Sequence, residues 1–159
     1  MSVKISIITV TYNAGKVLQR TLDSIRKQTR LDLVELILVD GNSKDQTLDI
    51  IKANTDIITQ WVSEPDKGLY DAMNKGINMA TGDYLWFMNA GDEIYDAQTI
   101  AKILPLLENR PDILYGETIE YSESGSELGM RRLKAPKKLT WKSFKMGMLV
   151  SHQSILIKR

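Results

Sequence analysis

The chain has 159 residues, 43% of them apolar and 26% charged, which is the size and make-up of one domain around a hydrophobic core. Lysine and arginine number 21 against 20 aspartates and glutamates, so no bulk attraction to nucleic acid is expected; the absence of cysteine excludes disulfides, zinc–thiolate sites and thiol nucleophiles. No apolar run approaches the ~18 residues of a membrane span, and the first ten residues lack the apolar region and cleavage site of a signal peptide, so a cytoplasmic protein is expected.

In chain order, residues 4–10 (KISIITV) read as a near-continuously apolar strand of the kind buried in parallel sheets. Val17, Leu18, Thr21, Leu22 and Ile25 then recur at spacings of three and four, an amphipathic helix started by the Asn13-Ala14-Gly15 corner. Residues 34–39 (VELILV) give a second strand and 45–53 a second helix. Residues 59–63 (TQWVS) give a third strand, and 69–80 a third helix stopped near Gly82. Residues 83–88 (DYLWFM) and 112–116 (DILYG) are further strands, separated by a helix over 97–109 that ends before Pro111. Beyond Gly116 the pattern breaks into a polar stretch with a hairpin-like SESGSE turn, a short helical segment around 139–148 and a strand-like QSILIKR. Met146 and Met148 read as packing residues in preference to a lipid-binding device. The βαβαβαβαβ alternation predicts an α/β fold: one domain over 1–159, a mostly parallel central sheet, right-handed crossovers and helices on both faces.

Ligands of open α/β sheets sit beyond the carboxyl ends of the strands. Those ends read TVTYNAGK, VDGNSKD, SEPDKG, MNAGDE and YGETIE, and four of the five carry carboxylates. Singly, each could be a turn with a helix cap, since Asp, Asn, Ser and Gly are favoured there. Gathered at one sheet edge they point to a site. A dinucleotide fold needs GxGxxG after its first strand, and TYNAGKVLQ offers one glycine; no segment matches the phosphate loop GxxxxGK[ST]. What remains is a fold that handles phosphates with a cation and acidic loops.

The pieces ISIITVTYNAGKVLQRTLDSI, LILVDGNSKDQTLDII, SEPDKGLYDAMNKGINMATGDYLWFMNAGDEIYD and, more weakly, YGE and SHQSILIKR resemble the family 2 glycosyltransferases. These are inverting enzymes with the GT-A nucleotide-diphospho-sugar transferase fold, and the third piece is most like bacterial enzymes of surface-polysaccharide and lipid-linked oligosaccharide synthesis. The resemblance implies a nucleotide-diphosphate-sugar donor, UDP-linked by preference, a Mg2+ or Mn2+ ion, and a saccharide or lipid-linked acceptor. It also implies a cytoplasmic location that can extend to the inner membrane face.

Position by position, it implies that Thr11, Tyr12, Asn13 and Asp40 line the base and ribose. Asp66 and Lys67 lie near the diphosphate or base, with Asn74 supporting their loop. Asp92 matches the last acidic residue of the family's DxD-type metal motif. Commoner members carry two or three carboxylates over 89–92, whereas this chain has Asn89, Ala90 and Gly91, leaving Asp92 as the one firm ligand with Asn89 beside it and waters and phosphate oxygens completing the shell. His152, the single histidine, matches a position that can face metal and diphosphate; the other reading is a hydrogen-bonded structural histidine. The basic run RRLKAPKK reads first as a solvated surface, and otherwise as a contact for an acceptor diphosphate or an anionic membrane face.

The implied chemistry is transfer of a sugar to a hydroxyl with inversion, for which a carboxylate must take the acceptor proton. In the family that base lies well downstream of the metal motif, in a segment expected beyond residue 159; Glu117 is the less favoured choice within the chain. Residues 1–95 are thus expected to form the donor-binding part and 96–159 the start of an acceptor part that is truncated at its C-terminus. Two other readings stand beside this one: a nucleotidyltransferase on a related fold, and a nucleotide-binding module without turnover.

Overall fold

A computed structural model describes residues 3–122 and 124–159, apart from the side chains at 141 and 146. Strands β1 (Ile5–Thr11), β2 (Val34–Asp40), β3 (Gln60–Ser63) and β4 (Tyr84–Phe87) run parallel, and are separated by helices α1 (Leu18–Arg26), α2 (Thr47–Ala53) and α3 (Leu69–Met79). Helix α4 (Thr99–Leu107), β5 (Ile113–Tyr115), the hairpin strands β6 (Ile119–Tyr121) and β7 (Glu127–Met130), and β8 (Ile155–Lys158) complete the chain. The main sheet has the order β3-β2-β1-β4-β8-β5, and β6 and β7 pair separately.

The alternation of side chains along each strand divides the core into two layers. Ile5 and Ile7, Leu36 and Leu38, and Tyr84 and Trp86 face one way, where they pack with Leu18, Leu22 and Ile25 of α1, Ile51 of α2, and Ile100, Leu104 and Leu107 of α4. Ile8, Val10, Ile37, Val39, Leu85 and Phe87 face the other way, onto Ala72 of α3. Helices therefore cover both faces, and every residue of β1 is buried, which is why that strand reads as continuously apolar. Helix α3 lies so close to the sheet that a Cβ on Gly76 would meet Ile8 Cγ2 at 2.4 Å, so only glycine fits there.

One buried polar cluster joins β1, β2 and the turn before β4. Glu35, 2% exposed, accepts from Ser6 Oγ at 2.6 Å, Thr81 N at 2.9 Å, Thr81 Oγ1 at 2.8 Å and Gly82 N at 3.3 Å. Burial pushes its carboxyl up, but these donors and the nearby Lys4 outweigh that and hold it below the usual glutamate range.

The structure departs from the sequence expectation chiefly at the C-terminal end. Strand β5 does not lie beside β4; β8 is inserted between them, antiparallel to both. The Trp86 indole N–H donates to the Gln153 carbonyl at 2.6 Å and so secures the entry to β8. The helical segment expected around 139–148 is a 3-10 turn over Trp141–Met146. Met148 is 52% exposed rather than packed, and the side chain of Met146 falls outside the described residues. The SESGSE turn does join a hairpin, with Gly125 at φ 82° and Glu123 outside the described residues.

Candidate active site

Because β1 to β4 are parallel, the loops after them share one edge. The loop after β1 and the segment before α2 are laced together. Asn13 N donates to Ser43 Oγ at 2.8 Å, Ala14 N to Thr47 Oγ1 at 2.9 Å, Gly15 N to Asp45 Oδ2 at 2.9 Å, and Lys44 N returns a bond to Asn13 Oδ1 at 2.9 Å. Asn13 sits at φ 48°, a conformation asparagine tolerates better than most residues. These bonds satisfy backbone groups of a non-helical corner and leave the Tyr12 ring 65% exposed at the edge. Thr11 is buried, and its Oγ1 has no partner among the described residues.

Asp40, at the end of β2, has no exposed surface. Its Oδ2 accepts from Ser63 Oγ at 2.6 Å and Ser43 N at 3.0 Å, and its Oδ1 accepts from Ser43 Oγ. The carboxylate expected to contact a base therefore holds two loops together from below. The space above it is lined by Gly41, where a Cβ would fall 2.6 Å from Asp66 Oδ2 and 3.2 Å from the Tyr12 ring. Tyr12 and Asp66 thus face one another across a residue whose lack of a side chain keeps them close.

Asp66 is half-buried and accepts from Gly68 N at 2.8 Å, while Lys67 is exposed. Lys75, one residue beyond the expected Asn74, supports this loop: its Nζ lies 2.8 Å from Glu64 Oε1 and donates to the Pro65 carbonyl at 2.9 Å. Asn74 itself is exposed on α3.

The segment after β4 turns sharply at Gly91, φ 104°, and is tied to α1. Gly91 N donates to Thr21 Oγ1 at 2.8 Å, Ile94 N to Ser24 Oγ at 3.1 Å, and Arg20 donates to the Gly91 carbonyl at 3.0 Å. Glu93 leaves the site to pair with Arg20 at 2.6 Å on the surface. Asp92 stays at the site, with Asn89 N donating to its Oδ2 at 3.1 Å and Gln153 Nε2 to its Oδ1 at 3.3 Å. Burial pushes the Asp92 carboxyl above its usual range; the Gln153 amide, Asn89 N–H, His152 and Arg20 only partly offset this. His152 Nε2 lies 3.1 Å from the Asn89 side-chain nitrogen, and Asn89 Oδ1, buried, has no partner among the described residues.

Asp92 also borders an open cleft of about 1140 Å³ that neither Tyr12 nor Asp66 lines. Its walls include Trp86, Ile94, Tyr95, Leu114 and the β6–β7 hairpin. One carboxylate thus separates a polar loop cluster from a largely apolar cleft.

The model of the family described as Glycosyl transferase family 2 matches residues 6–158. The chain belongs to glycosyl transferase family 2. A PGL/p-HBAD biosynthesis glycosyltransferase of Mycobacterium bovis is 43% identical over 119 residues, covering 72% of this chain and 46% of the relative. Staphylococcus aureus TarS 1-349, solved in complex with UDP, superposes with a TM-score of 0.66 at 25% identity, covering 76% of this chain and 36% of that one. The mannosyltransferase PcManGT of Pyrobaculum calidifontis, solved with GDP-Man and Mn2+, gives a TM-score of 0.66 at 22% identity, covering 73% of this chain and 36% of that one. The fold is GT-A. The chain spans about half the length of the curated relatives it matches, 46% and 56% in two cases.

Within this family 2 chain, the structure gathers Tyr12, Asn13 and Asp66 in one loop cluster and Asn89, Asp92 and His152 in a second at the end of β4. It buries Asp40 beneath the first cluster and leaves Lys67 pointing outward at the rim. No group of three His, Asp or Glu residues is placed to hold a metal among the described residues. The residues present nevertheless fit a hard cation: an ionised carboxylate and an unpartnered buried amide oxygen stand together, and such ions accept few protein ligands when phosphate oxygens complete the shell. Sequence reasoning missed Gln153, whose neighbour His152 gave the only signal, and the Ser43 and Ser63 clamp on Asp40.

Proposed function

We propose that this chain is the donor-binding part of an inverting glycosyltransferase that takes a UDP-sugar and transfers the sugar to a hydroxyl during surface-polysaccharide or lipid-linked glycan synthesis. The observation that carries the reading is the unpartnered Asn89 Oδ1, buried between Asp92 and His152 where β4 meets its loop.

In this reading the nucleotide lies over the β1–β3 ends. Tyr12 offers an exposed aromatic face for a base to stack on. Asp66 accepts from base or ribose, and Asp40 fixes the 41–43 turn through Ser43 so that Gly41 leaves room between them. Asn89 and Asp92 hold a Mg2+ or Mn2+ ion. When bound, that ion supplies positive charge to offset the leaving diphosphate. Gln153 orients Asp92 toward the site, and His152 orients the Asn89 amide. The acceptor enters from the cleft that Asp92 borders, and inversion would require it to approach the sugar opposite the leaving diphosphate. The carboxylate that takes its proton is assigned outside these residues. Glu117 is turned to another task, since its carboxylate accepts the Ala135 N–H at 3.2 Å.

Thermal unfolding with UDP, GDP or dTDP in the presence of Mn2+ tests the reading. A ligand that binds only the folded chain stabilises it by about 2.7 kcal/mol at a hundredfold excess over Kd. The expected result is a rise in Tm with UDP that shrinks on chelation; no shift with any nucleoside diphosphate overturns it.

A further inference from the structure

All 20 acidic residues of the chain fall at or before Glu127, whereas nine of its 21 basic residues follow it and no acid does. A near-neutral total therefore conceals a strong dipole: a negative body and a positive C-terminal segment. At its far end Lys158 pairs with Asp112 at 4.0 Å, so the charge left for a partner lies earlier in the segment, over 132–138. Arg132, Lys134, Lys137 and Lys138 are all exposed, and among the described residues none of the four forms an ion pair.

Apolar groups are exposed in the same stretch. Leu128 is 67% exposed, Met130 52%, Leu133 49% and Met148 52%; of these Leu128 alone has an acidic neighbour in sequence, Glu127. The segment is anchored at both ends, so these groups are presented and not trailing. Arg131 N donates to the Thr118 carbonyl at 2.9 Å, the Tyr115 hydroxyl to the Pro136 carbonyl at 2.8 Å, and Ala135 N to Glu117. A surface on which well-hydrated basic side chains alternate with exposed leucine and methionine suits an interface that is anionic outside and apolar beneath.

From this juxtaposition we infer that residues 128–138, with Met148, dock the protein on an anionic lipid bilayer. The charge complementarity selects a bilayer surface: four exposed cations meet anionic headgroups while Leu133 and Met148 enter the boundary below them. Leu128 and Arg131 also line the cleft beside Asp92, so docking would set the mouth of that cleft at the membrane. This last point rests on the proposed transferase function; the docking itself does not.

The test is co-sedimentation of the chain with vesicles of equal parts phosphatidylglycerol and phosphatidylcholine, set against pure phosphatidylcholine. Each basic residue near an anionic surface multiplies partitioning roughly fivefold, an effect confined to a Debye length. The expected result is binding to the anionic vesicles only, released by about 0.5 M salt. Replacing Arg132, Lys134, Lys137 and Lys138 with Gln should lower partitioning by at least about a hundredfold. Leu133→Ser with Met148→Ser should weaken it further at equal charge. The thermal unfolding midpoint of the quadruple variant without ligand should match the parent, showing that it is folded, because the four side chains are exposed and make no ion pair among the described residues. Equal binding to both vesicle types, no binding, or a quadruple variant that partitions like the parent overturns the inference. So does equal, Gln-sensitive capture by duplex DNA, which would mark a general polyanion surface.

Discussion

The Gln153 amide donates to Asp92 Oδ1 at 3.3 Å, joining the segment that leads into β8 to the loop that follows β4, 61 residues earlier in the chain. The opposite edge of the same carboxylate takes the Asn89 N–H. Asp92 is thereby held in one orientation from both sides, and its behaviour gives the most direct tests of the site.

Asp92→Asn should remove the Mn2+-dependent part of UDP affinity and leave the fold intact. The change preserves volume, while a neutral amide is a far weaker ligand for a hard cation. Glu93→Gln should do little, because Glu93 pairs with Arg20 at the surface. Titrating Mn2+ against each variant with UDP present is the measurement, and an Asp92 variant with parental metal dependence would refute the assignment.

Gln153→Ala should lower Mn2+-dependent UDP affinity about tenfold, in the range found when groups that orient a metal ligand are removed. Metal-free UDP binding should change little. Calorimetric titration with and without Mn2+ separates the two; an equal loss in both would mean that Gln153 supports the whole edge.

Asp40→Asn should destabilise the protein by about 1–3 kcal/mol, since a wholly buried carboxylate that accepts from Ser43 and Ser63 would become half a donor. Nucleotide affinity should fall with it, through the loosened 41–43 turn. Urea unfolding gives the stability change, and an Asp40 variant of parental stability would show that the clamp contributes nothing.

Glu35 predicts a pH dependence. Its folded pKa lies below that of an ordinary glutamate, so its contribution is fully present above about pH 4.5 and is lost as pH falls through the folded value. Glu35→Gln should lower stability at pH 7 by about 1–3 kcal/mol and flatten the acid limb of the stability curve. Denaturant unfolding across pH 3–7 would show a slope unchanged from the parent if this account were mistaken.

Gly76→Ala should destabilise by about 1–3 kcal/mol although alanine is the better helix former, because the added Cβ collides with Ile8 between α3 and β1. A rise in Tm would mean that α3 can move away from the sheet.

The parallel half of the fold was legible because β1 and β2 are buried on both faces and so carry nearly unbroken apolar runs. The carboxyl-end rule then directed attention to Tyr12, Asn13, Asp66 and Asp92, which do lie at that edge. The depth of Asp40 was not legible: its donors Ser43 and Ser63 are ordinary loop residues, and only the packing of two loops shows that they converge. Gln153 escaped notice for the same reason. The position of β8 escaped because strand length and polarity say nothing about which neighbour a strand will choose.

That choice of neighbour governs the order in which the chain can acquire its structure. Strand β5 touches the main sheet only through β8, whose three pairs with it run from Ile113↔Ile157 to Tyr115↔Ile155. On the ribosome, β1 to β4 can assemble as soon as residue 88 is free. Strand β5, made more than forty residues before β8, must wait without a partner until residues 155–158 emerge from the exit tunnel. Closure of the cleft wall and the setting of Gln153 against Asp92 therefore follow the assembly of β1 to β4, so a nascent chain can hold the first loop cluster well before it holds the second.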